Sequence, residues 1–194
     1  MFWVLNLVFL SPNCIWAEIS GSKFSVEQLL GEIRLIETKI ELSVDKIAEN
    51  KKHSQTALGL LNIAEISKKA LGKHWAKLDI KEQKKFQNLL GQLFIHVAFP
   101  SSAKFFAKLD LVYGSIVEKK RWVLVPLTVV HETEGEVGID FKLIKAKDKW
   151  QIVDVVLDGV SMRNNLRSQF YKVIAKKNFG ALMQKMEKKL EAAK

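Results

Sequence analysis

The chain has 194 residues, 48% of them hydrophobic, with 31 Lys and Arg against 21 Asp and Glu for a net charge of +10. That length suits one domain, and that apolar share allows either a solid core or an internal apolar cavity. Its one cysteine, Cys14, excludes an internal disulfide or a zinc–cysteine framework; its four arginines (Arg34, Arg121, Arg163 and Arg167), with lysines spread over the whole chain, argue for a solvated surface and against a nucleic-acid partner.

Residues 1–17, MFWVLNLVFLSPNCIWA, hold no charged side chain. Phe2 to Leu10 form an apolar run as long as a signal-peptide core and too short to span a bilayer. The expectation is a leader over 1–17, cleaved after Ala17, and one domain over 18–194. Ser25 with Gln28 reads as a capping box. From there Val26, Leu29, Leu30, Ile33, Ile36, Ile40, Val44 and Ile47 recur at helical spacing and predict one helix of about two dozen residues. Lys51 to Gln55 reads as a polar connection, and a short helix from Leu60 to Leu71 should stop at Gly72. Asp79 with Glu82 caps a third helix, whose stripe of Phe86, Leu89, Leu90, Leu93, Phe94 and Val97 should end before Pro100.

From Asp110 the hydrophobic period changes to two. Val123, Val125, Leu127 and Val129 share one face; Val137, Ile139, Phe141 and Leu143 repeat it on the next strand, and Val153, Val155 and Leu157 on the last. Glu118 to Lys120, His131 to Glu136 and Lys147-Asp148 are the expected connections of an antiparallel meander. Pro126 inside a strand predicts an edge or a bulge. The opposite face, with Trp122, Leu124, Thr128, Asp140, Lys142 and Asp154, should be partly wet. An Asp158-Gly159 turn leads into a helix over Ser161 to Lys177, with Leu166, Phe170, Val173 and Ile174 on its apolar stripe. A last helix from Gly180 carries Leu182, Met186 and Leu190, and its lysine-rich end from Lys185 should fray. Helices, a meander, then helices describe an α+β domain.

No nucleophile, metal or nucleotide motif survives inspection. Gly159-Val160-Ser161 sits between strand and helix, but G-x-S-x-G fails at Arg163, and all four histidines (His53, His74, His96 and His131) precede Ser161. N-capping explains that serine. There is no H-E-x-x-H, Walker A loop or G-x-G-x-x-G, so neither an enzyme nor a bound cofactor is expected. Arg167 and Asp154 read as a salt bridge beneath the helix; the alternative is a headgroup contact by Arg163 or Arg167.

Trp150 opening a strand, Asp154 within it, the block Gly159-Val160-Ser161-Met162, and Asn165, Arg167 and Phe170 on the following helix form a spaced set. With the segment ALGKHWAKLDIKEQKKFQNLL, it resembles the MlaC family, phospholipid-binding periplasmic proteins of the toluene-tolerance type that serve an ABC transport system. Leu90 and His96-Val97 stand where relatives tend to carry a second phenylalanine and a tyrosine. The resemblance implies a curved antiparallel sheet of the cystatin or nuclear-transport-factor type, with helices enclosing an apolar lipid pocket.

The expected lining is Phe94 and Val97 from the helices, Val125, Leu127, Phe141, Val155 and Leu157 from the sheet, and Val160, Met162, Phe170 and Ile174 after it. The resemblance further implies a monomeric carrier that shuttles phospholipid between an outer-membrane lipoprotein complex and an inner-membrane ABC transporter with an MCE-type subunit, maintaining outer-membrane lipid asymmetry. Two other readings stay open: another apolar cargo such as a hopanoid, and a ligand-free basic adaptor.

Overall fold

A computed structural model of the chain describes residues 12–131 and 135–194. Residues 1–11, which hold most of the expected leader, and 132–134, inside the expected His131–Glu136 connection, lie outside the described residues.

The first helix, α1 (Pro12–Arg34), buries Val26, Leu29, Leu30 and Ile33 in the core. Ser25 lies within this helix, not at its start. Its hydroxyl is within bonding distance of the Gly21 carbonyl one turn back (3.1 Å) and of the Trp150 carbonyl on the sheet (3.2 Å), which ties helix to sheet where a capping box was expected. The predicted run through Ile47 breaks at 35–43. Ser43 N-caps a separate helix, α2 (Val44–Gly59), and the Asn50 amide closes the break by accepting from Glu37 N (2.9 Å) and donating to Glu37 O (2.8 Å). These local side-chain bonds offer the backbone an alternative to continued helix. Ile40, Val44 and Ile47, expected in the core stripe, are exposed instead, and Lys51 to Gln55 is helical within α2.

The next helix, α3 (Ile63–Leu71), starts at an Asn62 cap and ends at Gly72. Gly72 has φ +50°, a conformation that favours glycine, and a Cβ there would have to push aside the Tyr171 hydroxyl, 2.5 Å away. After a 3-10 turn over Gly72–Lys77, both halves of the Asp79–Glu82 capping box form at the start of α4 (Ile80–Leu93). The chain stays helical past the expected end. It widens into a π turn (Phe94–Ala98) and resumes as α5 (Phe99–Phe106), with Pro100 in its first turn.

The strands are β1 (Leu111–Tyr113), β2 (Val117–Lys119), β3 (Trp122–His131), β4 (Gly135–Ala146), β5 (Lys149–Leu157) and β6 (Val160–Ser161). They form one open antiparallel sheet in the order β1-β3-β4-β5-β6, and β2 also pairs with β3. Glu118 and Lys119, expected in a connection, are therefore strand residues. β1 and β2 divide one edge of β3, and Pro126 stands at the division, its carbonyl accepting from Gly114 N at 2.9 Å. Lys147-Asp148 and Asp158-Gly159 all have positive φ, the form that closes two-residue hairpins with the right twist.

Register slips between β4 and β5: Lys142 faces Asp154 while Leu143 faces Ile152, leaving Val153 as the extra residue of a bulge. Ile152, not Val153, therefore joins the main core cluster. Leu60–Asn62 adds a parallel bridge to β5 at Ile152, and β6 pairs with the far end of β5. Helix α1 packs on β3 and β5, while α3 and α6 (Met162–Lys176) pack on β5. Helix α7 (Phe179–Glu191) packs on α4 and α6 with Met186 and Leu190 buried, so the chain end expected to fray is regular helix. The domain is α+β, with its helices against a curved sheet.

Candidate functional site

Register sets the expected lining residues in rows on one face of the sheet, because directly paired antiparallel residues point the same way. Val125, Phe141 and Val155 make one row; Leu127, Ile139, Leu157 and Val160 make the next. Exposure climbs along both. Val125 is 0% and Phe141 2% exposed while Val155 is half-buried; Leu127 is 1% and Ile139 2% exposed, Leu157 half-buried and Val160 55% exposed. The apolar face is thus sealed at β3 and β4 and opens at β5 and β6.

Helix α6 packs beside this opening. It contributes half-buried Met162, Leu166, Val173 and Ile174, while Phe170 anchors it, edge-on to the fully buried Phe86 ring with centroids 5.6 Å apart. Phe94 and Val97 belong to the π turn, where every residue from 92 to 98 is half-buried. An ordinary amphipathic helix alternates buried and exposed sides; this segment touches neighbours all round without being closed over. Of the expected lining, Val125, Leu127, Phe141 and Phe170 are core, Phe94, Val155, Leu157 and Ile174 are partly open and packed against that core, and Val160 is at the rim. Ile139 and Leu166 complete the same surface. Strand parity and the helical stripe had marked both.

A polar anchor fixes the head of α6. Asp154, 6% exposed, accepts from Ser161 Oγ (2.7 Å) and from Arg163 N (3.1 Å), and its carboxylate pairs with the Arg163 guanidinium (3.3 Å). Arg163, not Arg167, makes the expected bridge, because Asp154 lies under the first turn of α6 and position 167 is a full turn farther along. Arg167 instead stacks over the Tyr171 ring, 5.1 Å from its centroid. Ser161 Oγ also accepts from Asn164 N (3.1 Å), so the hydroxyl is engaged in capping. Lys142, opposite Asp154 in the ladder, sits 4.0 Å over the Trp122 ring; burial, then the Arg163 charge, hold its ammonium below the usual lysine range.

In the π turn, burial and then the Lys194 charge lower the pKa of His96 from its ordinary 6.5. The folded state therefore takes up a proton less readily than the unfolded chain, so acidification below about 6.5 favours unfolding. Thermal melts at pH 7.5 and pH 5.5 check this: the Tm loss on acidification should be smaller for His96→Gln than for the unaltered protein, and equal losses contradict it.

Among the described residues no cluster of three or more His, Cys, Asp or Glu could hold a metal ion, and no helix is long and apolar enough to cross a membrane. A family model described as MlaC protein matches residues 34–188. Among solved structures, the chain is similar to a phospholipid-binding protein from Ralstonia solanacearum determined in complex with a phospholipid. The TM-score is 0.73 at 18% identity, over 91% of this chain and 98% of that one, a likeness of fold. No curated protein matches the sequence.

Proposed function

Because the chain belongs to the MlaC family, we propose that it is a periplasmic phospholipid carrier that holds acyl chains on the apolar surface opening at β5, β6 and α6. It passes lipid between an outer-membrane lipoprotein complex and an inner-membrane ABC transporter with an MCE-type subunit, as a monomer and without covalent chemistry. The observation that carries this reading is the gradient of exposure from Leu127 to Val160, which leaves a continuous apolar row open at one end. A phospholipid on the similarly folded Ralstonia protein supports it. Removal of residues 1–17 on export leaves Val26 and the other α1 core residues in place.

Transfer energetics define the task. Burying a methylene stabilises by ~0.8 kcal/mol relative to water, so two tails of ~16 carbons amount to ~25 kcal/mol. Lipid would not escape into water on any useful timescale. In a bilayer the tails are already apolar, so release is governed by small differences in packing and occurs when the carrier docks on a donor or acceptor. Titration with a fluorescent phospholipid tests the reading: saturable uptake displaced by unlabelled phospholipid is expected, and a well-folded protein that gives no saturable signal is a solid-cored adaptor instead.

A further inference from the structure

The basic charge is unevenly placed. Residues 160–194 hold nine Lys and Arg against two Glu, so this segment carries +7 of the +10 net charge. Between α6 and α7 lies an open groove of about 490 Å³ ringed by Lys172, Lys176, Lys177, Lys185 and Lys188. All five are exposed, and among the described residues none of them forms an ion pair. Elsewhere some helix lysines are paired one turn along, as Lys23 with Glu27 (3.6 Å) and Lys69 with Glu65 (3.7 Å). The one acid between Lys185 and Lys188, Glu187, is turned away to Lys85 on α4 at 2.9 Å.

The negative end of α6 accounts for Lys176 in its last turn, but not for lysines on two helices crowded around one groove. We propose that this groove docks the protein on a bilayer surface bearing anionic headgroups. The choice of a lipid surface follows from the kind of cation present. A protein carboxylate is best held by the planar fork of arginine, and the two arginines of α6 are engaged elsewhere, on Asp154 and Tyr171. The groove instead offers five flexible ammonium groups around half-buried Val173 and Ala181, suited to a dense anionic field of no fixed geometry.

Flotation of the full chain with phosphatidylcholine vesicles, with and without phosphatidylglycerol, tests this. The unaltered protein should partition onto the phosphatidylglycerol vesicles and leave them at high salt. At about fivefold per lysine, Lys176→Gln/Lys177→Gln/Lys185→Gln should bind about a hundredfold more weakly. Lys51→Gln/Lys52→Gln/Lys108→Gln, which removes the same charge from exposed sites elsewhere, should stay within a few-fold of the unaltered protein. No preference for anionic vesicles, as for a groove that meets only an acidic protein, overturns the proposal, as does equal weakening by both triple variants. Saturable uptake of fluorescent lipid is a separate readout, so loss of either function is told from loss of the other.

Discussion

Asp154→Ala is expected to cost about 3–5 kcal/mol of stability, the range for removing one partner of a buried ion pair. Three donors converge on this carboxylate: the Ser161 hydroxyl, the Arg163 amide and the Arg163 guanidinium, the last with its side chain 19% exposed. Alanine removes the acceptor of all three at once and leaves a largely buried cation without its counter-charge. It also removes the negative group at the start of α6, where the helix dipole favours one. Asp154→Asn keeps an acceptor and loses the charge, so it should fall between alanine and the parent. Adding Arg163→Met to Asp154→Ala removes the orphaned cation and should recover part of the loss, a coupling that a double-mutant cycle reads directly. Urea unfolding of the parent, Asp154→Ala, Asp154→Asn, Arg163→Met and the double variant checks the series; a loss below about 1 kcal/mol for Asp154→Ala would place the carboxylate in contact with solvent instead.

Leu157→Glu should weaken fluorescent phospholipid uptake at least about a hundredfold, because a carboxylate set against acyl chains is either desolvated or must displace them. Leu157 is half-buried, midway along the row between sealed Ile139 and open Val160. A glutamate there can turn toward the open end, so the variant should still fold with a normal melting transition. Val160→Glu puts the same charge at the rim, where solvent already reaches 55% of the residue, and should have the smaller effect on uptake. Equal, parent-like uptake by both variants would move the acyl-chain site off this row.

Legibility in the sequence followed how local each determinant is. The Asp79–Glu82 box, the Asn62–Glu65 cap, the Gly72 stop and the Ser161 cap each rest on two or three neighbouring residues. Of these the sequence reading marked all but Asn62. Alternating apolar residues on β3 and β4 likewise declared the buried face. Three features escaped that local reading. Ile40, Val44 and Ile47 continue the helical period, but the Asn50 amide on the Glu37 backbone stops the helix before they can share its buried face. The bulge at Val153 shifts parity by one, so strict alternation selects Val153, which is buried but outside the main core cluster, and passes over Ile152, which belongs to it. Pro100 reads as a terminator, yet the π turn before it lets the chain remain helical.

For the candidate site, periodicity marked which residues are apolar but not which of them stay uncovered. That depends on where β6 and α6 fall relative to β5. Charge was harder still, since lysines spaced along two separate helices become a ring only when α6 and α7 lie side by side.

The most direct test of the account is mass spectrometry of an organic extract of the protein purified from the periplasm without detergent. Near-stoichiometric phospholipid is expected from the parent and a depleted extract from Leu157→Glu of equal fold. Folded parent protein that yields no phospholipid, or yields a hopanoid in its place, would contradict it.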